Sequence, residues 1–362
     1  MENTSSTTKS TTTVKEYVYR ISAAVSNAIL VTLGIGLLLQ TIASFIHWNA
    51  LYQVGVIAND LLAPALGVAI ASQLETTSLV IFSAMISSTI GANAVHFTTT
   101  AVNGTTATGA SLMQAAGSAT FSTGQPVSAV LAGLIAALIG KYLSGKTPLD
   151  MMLVPFAATL VGGICGLGLA AVTTPLLLNV SAFIAETMQV NPLVGSISIS
   201  VVWALFLMTP ASSAALAIAL TLDPISSAAA LIGTTSQFVA FTAMSFRQNN
   251  LGANIAQGVM TPKVQFPNLL INPYLLVPSL LSAVVCAPIA TIMFGFRSTY
   301  KLAGLGLNSF IAPLAYAAQG WGQFAIYMFT GVFLPILISL VAYGMMKKAG
   351  FIKDNQLHLE IV

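Results

Sequence analysis

Residues 76–140 contain no Asp, Glu, Lys or Arg, and neither do 151–185, 187–222, 264–296 or 302–346. Runs of this length without charge leave a chain few ways to fold. A soluble domain carries roughly 25% charged residues, whereas this one, of 362 residues, carries 6%, with 56% hydrophobic residues and a mean hydropathy of +0.89. A helix that crosses a bilayer needs about 20 mostly apolar residues, so each charge-free run accommodates one or two crossings. The pattern describes an all-α integral membrane protein and excludes a soluble enzyme or a nucleic-acid-binding domain.

The few positive charges indicate orientation. They gather at Lys9, Lys15 and Arg20, at Lys141 and Lys146, at Arg297 and Lys301, and at Lys347, Lys348 and Lys353. Cytoplasmic loops carry the excess of Lys and Arg, so all four segments are expected on the cytoplasmic side. Crossings then fall at 21–46, 54–73, 76–96, 126–143, 151–174, 193–211, 226–246, 273–296, 303–320 and 324–346, about ten, with both termini inside. Residues 1–20 read as a flexible cytoplasmic leader, 21–346 as the transmembrane domain and 347–362 as a short cytoplasmic tail. The run 21–46 is longer than the apolar core of a secretory signal and reads as the first crossing. Cys165 and Cys286 sit in apolar runs and read as small buried hydrophobes.

Three stretches do not fit simple crossings: 98–124, rich in Thr, Gly and Ala; 175–191, which ends at Asn191 before Pro192; and 247–268. Irregular backbone at membrane depth is tolerated where protein buries it or where it lines water. One or two re-entrant hairpins, at 98–124 and 247–268, are therefore expected, with an extracellular loop as the other reading of 98–124. Pro64, Pro155, Pro210, Pro288 and Pro335 fall in or near apolar runs, where each favours a kink or break.

The stretch 245–268, SFRQNNLGANIAQGVMTPKVQFPN, is a polar island between apolar runs. Unpaired polar groups are costly inside a bilayer, so they persist mainly where they line a cavity or perform a function. Gln248, Asn249, Asn250, Asn254 and Gln257 supply five amides in ten residues, and each amide offers a donor and an acceptor to a sugar hydroxyl that does both. Two readings stand: a site for a sugar or small polar metabolite, or amides that satisfy the backbone of a broken helix. Arg247 must pair, reach water or contact an anionic group, and Glu75, Glu186 and Asp223 are its candidate partners. Gln237, with Thr235, lies one or two turns before the island and can line the same cavity. His96 ends an apolar run beside a polar stretch. Gln125 opens a helix whose free amides can receive an anion.

The island, with its flanks FTAM and LLINP, resembles the signature of the PfoR-like branch of phosphotransferase-system EIIC membrane proteins. The blocks GQPVSAVLAGLIAALIGKYLSGKTPLDMMLVP (124–155) and MTPASSAALAIAL (208–220) agree with it. The resemblance covers residues from about 20 to 345. It implies an EIIC-like permease fold, a homodimer, and a sugar substrate carried across the bacterial plasma membrane. The chain departs from the branch at Gln125, where an Asp is usual, at Gln248, where a Glu usually follows the Arg, and at 304–313. Two carboxylates are thus amides, which weakens any reading of proton coupling or sugar deprotonation there.

Phosphate-loop, dinucleotide-binding and nucleophile-elbow motifs are absent, as is any metal-ligand spacing. No catalytic residue, cofactor or metal is therefore expected. The sequence also shows no phosphocysteine or phosphohistidine domain, so phosphoryl transfer would fall to separate EIIA and EIIB proteins. The leading expectation is an EIIC-like permease working by alternating access. The alternative is a membrane-embedded sensor or regulator that keeps the fold without transport.

Overall fold

A computed structural model describes residues 14–359. Helix α1 (Val14–Ile29) starts inside the stretch expected to be a flexible leader, while residues 1–13 and 360–362 lie outside the described residues. One π turn carries α1 into α2 (Ile35–Ile46), so Glu16–Ile46 forms one membrane-length unit. Helices α3 (Asn49–Asp60) and α4 (Leu62–Gln73) follow, bent by 51° at Leu61. The N-terminal half then contains α5 (Ser78–Gly91), strands β1 (Val95–Phe97), β2 (Val102–Thr105), β3 (Ser111–Gln114) and β4 (Ala119–Phe121), and α6 (Pro126–Leu143).

Helix α7 (Asp150–Val190) runs 41 residues straight through Pro175, absorbing the short stretch expected at 175–191. At 1.5 Å per residue it is about 60 Å long, twice the hydrocarbon core, so only part of it lies in lipid. After it come α8 (Pro192–Met208), α9 (Ser213–Ala219), α10 (Pro224–Ser245), α11 (Leu251–Ile255), α12 (Phe266–Ile271), α13 (Val277–Pro288), α14 (Ile311–Gln319), α15 (Trp321–Tyr327) and α16 (Leu334–Lys348).

Among the described residues, five helical units are long and apolar enough to cross a membrane, or six if the bent α3–α4 pair counts as one, against the ten crossings expected. Helices α5 and α8 are apolar but short, at 14 and 17 residues. Helix α10 has 22 residues but carries Ser226, Ser227, Thr234, Thr235, Ser236 and Gln237, all buried. The stretch 303–320 forms no crossing helix. It is a series of turns in which Ser309 and Phe310 adopt left-handed φ of 50° and 57°, followed by the nine-residue α14.

The stretch 98–124 is a β-hairpin arm. The pairings Val95↔Phe121 and Thr105↔Ser111 share one register, so the two ladders belong to a single hairpin. Its residues are largely exposed, and its two open edges carry unpaired peptide groups that hydrocarbon does not tolerate. Open edges of this kind suit the extracellular-loop reading of 98–124 rather than a lipid-facing re-entrant one.

Small residues set the helix spacing, as is usual where lipid supplies no hydrophobic drive between helices. One core joins α1, α4, α5 and α6 around Leu62, Leu66, Ile70, Val80 and Ala129. A second joins α8, α10, α13 and α14 to α16 around Trp203, Phe238, Phe296, Tyr316 and Tyr327. A smaller third cluster packs Met208, Phe241, Met244, Leu269 and Tyr343 against Ile352 and Leu357 of the tail.

Polar contacts define the two ends of the molecule. Lys141 Nζ donates to Leu74 O at 2.7 Å, and Arg20 pairs with Glu75, in the turn after α4, at 3.2 Å. The 18 residues of α6 put this end about 27 Å from Gln125 and the hairpin arm. Arg297 departs from its expected side. Pro273–Met293 has 21 residues and carries the chain about 30 Å away from Asn272, which binds the tail. Arg297 donates to Thr291 O and Phe296 O, both at 2.9 Å, so it caps a helix end rather than marking the cytoplasmic face.

Helix α8 crosses α10 at close range. A methyl on Gly233 would lie 2.2 Å from Ser200 O. Gly233→Val is expected to destabilise the fold by about 1–3 kcal/mol through overpacking. Gly344→Ala, where a methyl would meet nothing within 4 Å, should leave the melting temperature in detergent unchanged or slightly raised.

Candidate functional site

The polar island is a helix broken three times, and local residue chemistry explains each break. After α10 the chain unwinds until the Asn250 side chain caps α11, accepting from Ala253 N at 2.8 Å. A π turn (Ala256–Met260) ends at Thr261, whose hydroxyl accepts from Lys263 N at 3.3 Å just as Pro262 removes a donor. Asn272 caps the next turn through Tyr274 N at 3.2 Å. Asn, Thr and Pro are the residues that accept first-turn amides or need none, so the segment punctuates itself.

Inside the segment four amides form a head-to-tail chain. Asn268 donates to Gln265 Oε1 (2.8 Å), Gln265 to Gln257 Oε1 (2.8 Å), and Gln257 to Asn254 Oδ1 (2.9 Å). Asn254 closes the chain on Phe246 O (3.0 Å) and Asn249 O (3.2 Å). All four are buried. Aligned amides polarise one another, and this chain gives a donor to the side-chain oxygens of Gln265, Gln257 and Asn254.

Lys263 is buried beside this chain. Its ammonium donates to Phe206 O at 3.3 Å, to Ala211 O at 2.8 Å and to Thr209 O. These carbonyls close α8, where a cation meets the negative end of the helix dipole. The Ser26 hydroxyl donates to Lys263 O at 2.9 Å, which ties α1 to the same point. Lys263 thus joins two helix breaks that share the tripeptide Met-Thr-Pro, at 208–210 and 260–262. That repeat is the sequence signal that could have marked Lys263 as a site residue.

The tail folds back over the island. Leu357 N donates to Gln248 Oε1 (3.0 Å) and Leu359 N to Asn249 Oδ1 (2.7 Å). Asn249 and Gln265 donate to Leu357 O at 2.9 and 3.0 Å, and Asn272 donates to Phe351 O at 3.1 Å. Gln248 also donates to the Tyr343 hydroxyl of α16 at 3.0 Å.

Two adjoining clefts remain between α1, the island and the tail. The first, about 810 Å³, is lined by Glu16, Tyr19, Arg247, Gln248, Asn268, Asn272, Asn355, Gln356 and His358, with Ile271. The second, about 950 Å³, is lined by Asn27, Asn250, Gly252, Ala253, Ala256, Val264, Pro267 and Leu359, among others. Tyr19 and His358 line both.

The structure thus divides the nine candidate residues. Arg247 and Gln248 line the first cleft and Asn250 the second. Asn249, Asn254 and Gln257 hold the tail and the broken backbone, which is the structural reading of the amides. Gln237 is buried in α10, donating to Gly233 O and Ser279 O at 3.5 and 3.4 Å, and lines neither cleft. His96 sits on β1 against the Ser122 hydroxyl at 3.0 Å, and Gln125 precedes α6; both lie at the end remote from Arg20 and Lys141. Arg247 pairs with none of its three expected partners: Glu75 is held by Arg20, Asp223 caps α10 through Ile225 N and Ser226 N, and no ion pair joins Arg247 to Glu186. Tyr19, Asn268, Asn272 and His358 also line the clefts and were not among the nine candidates. Among the described residues, no group of three or more His, Cys, Asp or Glu could hold a metal ion.

Residues 19–359 match the family model described as Phosphotransferase system, EIIC. No curated protein and no solved structure matches the chain.

Replacing Lys263 with Met would leave the three carbonyls at the end of α8 without their donor. A loss of about 3 kcal/mol is expected. It should appear as a lower melting temperature of the purified protein, with Lys301→Met, on an exposed turn, as the unaffected control.

Proposed function

The chain belongs to the phosphotransferase-system EIIC family, membrane components that work with EIIA and EIIB proteins, and on that premise we propose that it carries a sugar or small polyhydroxylated metabolite across the bacterial plasma membrane by alternating access. The observation that carries this reading is the pair of clefts at the island. They lie on the seam between α1, which belongs to one packed core, and the island, which belongs to the other half. A site on such a seam opens or closes when one body moves against the other.

The chemistry of the lining suits hydroxyls. In this reading Arg247 contacts substrate through its guanidinium, and Asn250 and Asn268 through the amide groups the fold leaves free, while Gln248 and Asn272, whose amides already bind Leu357, Tyr343, Phe351 and Tyr274, shape the cleft wall. Asn249, Asn254 and Gln257 keep the frame in place, while His96, Gln125 and Gln237 serve elsewhere. Any phosphoryl group comes from a partner docking at the end that carries Arg20, Lys141 and Lys347, which the positive-inside rule makes cytoplasmic.

The finer topology is part of the proposal. Ten crossings follow if α5, α8 and α10 cross and if residues 209–223, with α9, carry the chain back between α8 and α10. Residues 246–272 are then re-entrant from the tail side, and 297–320 from the opposite side, where Ser309 Oγ reaches Gly34 O at 3.4 Å. Membership of the PfoR-like branch, a homodimer and cytoplasmic termini complete the reading, all resting on the motif resemblance and charge distribution.

Uptake of labelled sugars into cells or proteoliposomes tests the assignment. Arg247→Gln and Asn250→Ala are expected to cut uptake at least tenfold at normal membrane abundance, while His96→Ala and Gln125→Ala keep it within twofold. Unchanged uptake in both island variants would remove the clefts from the transport path.

A further inference from the structure

His358 has a fixed main chain and an exposed side chain. Leu357 before it is fully buried, and its N–H and carbonyl are bound by Gln248, Asn249 and Gln265. Leu359 after it is held by Asn249, and His358 O accepts from Asn268 Nδ2 at 3.0 Å. Several side-chain bonds thus converge on three consecutive residues. The imidazole they present stands where the two clefts meet.

The ring's own contact determines its tautomer. Nδ1 lies 2.6 Å from Gln248 O. A carbonyl oxygen can only accept, so Nδ1 of the neutral ring carries the proton. The lone pair is then on Nε2, on the side of the ring away from Gln248. The result is a hydrogen-bond acceptor with its orientation fixed, in a cleft that the Arg247 guanidinium and the Glu16 carboxylate also line and where Gln248, Asn268 and Asn272 have both amide hydrogens engaged within the fold.

We propose that His358 is a substrate-contacting residue whose Nε2 accepts a hydrogen bond from a hydroxyl of the bound sugar or polyol at the junction of the clefts. Gln248, Asn249, Gln265 and Asn268 are its positioning residues. The assignment rests on the permease reading and deepens it: the ligand must present a hydroxyl donor at the junction, which selects neutral polyhydroxylated molecules over purely anionic ones.

The test separates holding from binding. In H358N the amide nitrogen replaces Nδ1 and keeps the bond to Gln248 O, while nothing stands at Nε2. In H358Q the longer side chain carries an acceptor to the Nε2 position. The purified full-length protein is melted against a panel of sugars, sugar acids and polyols, and the stabilising compound is titrated. H358N is expected to bind it about tenfold more weakly, and H358Q to recover most of that loss. A second measurement uses the wild type alone. Diethyl pyrocarbonate should modify His358, the stabilising compound should suppress that modification, and modification of His96 should be unaffected by it. Equal binding by wild type and H358N, or no protection of His358 at saturation, overturns the assignment and leaves the permease reading standing. If no panel member stabilises the wild type, the sugar-permease reading falls and the assignment with it.

Discussion

A helix broken inside an apolar protein exposes peptide groups that neither lipid nor hydrocarbon side chains can satisfy, and the site is built around this constraint. Each unmet group costs on the order of 1–3 kcal/mol, so a break survives only where side chains meet the need. Here they do so in two ways. The amide chain from Asn268 to Asn254 supplies donors to Phe246 O and Asn249 O. Lys263 supplies a cation to the carbonyls that end α8. Without both, the island has no stable irregular form, and without the irregular form there is no cleft.

The same constraint explains the tail. Gln248, Asn249 and Gln265 have hydrogen-bonding capacity beyond what the island uses, and residues 357–359 fill it with main-chain groups. Leu357 and Ile352 bury their side chains beneath. A stretch that reads as a short tail is therefore part of the site wall. The amides that look like ligands for a sugar are mostly occupied, and the residues left facing the clefts come from four separate parts of the chain.

Much of the architecture was legible before the structure. Charge-free runs mark helices that cross lipid because a charge in hydrocarbon is costly. The island stood out for the same reason, and its resemblance to EIIC proteins matches the family found for residues 19–359. The errors also have physical causes. Residues 98–124 are too polar for lipid, but their composition did not reveal the strand register. Arg297 was read as a topological signal, although its guanidinium is bound to the carbonyls of Thr291 and Phe296. The stretch 303–320 is apolar enough for a crossing, but left-handed Ser309 and Phe310 break it.

What the sequence determined by itself was the solvent: hydropathy is a sum over local residues, so a lipid-embedded helical protein and a costly polar island follow from composition and spacing alone. Which amides face a ligand was decided only by tertiary structure. Gln257 and Asn250 are the same kind of residue seven positions apart; one is sealed among Ser245, Asn254 and Gln265, and the other stands open beside α1. Hydrogen-bond partners at sequence separations near 100, such as Leu357 with Gln248, are set by how distant segments pack. No local pattern encodes that.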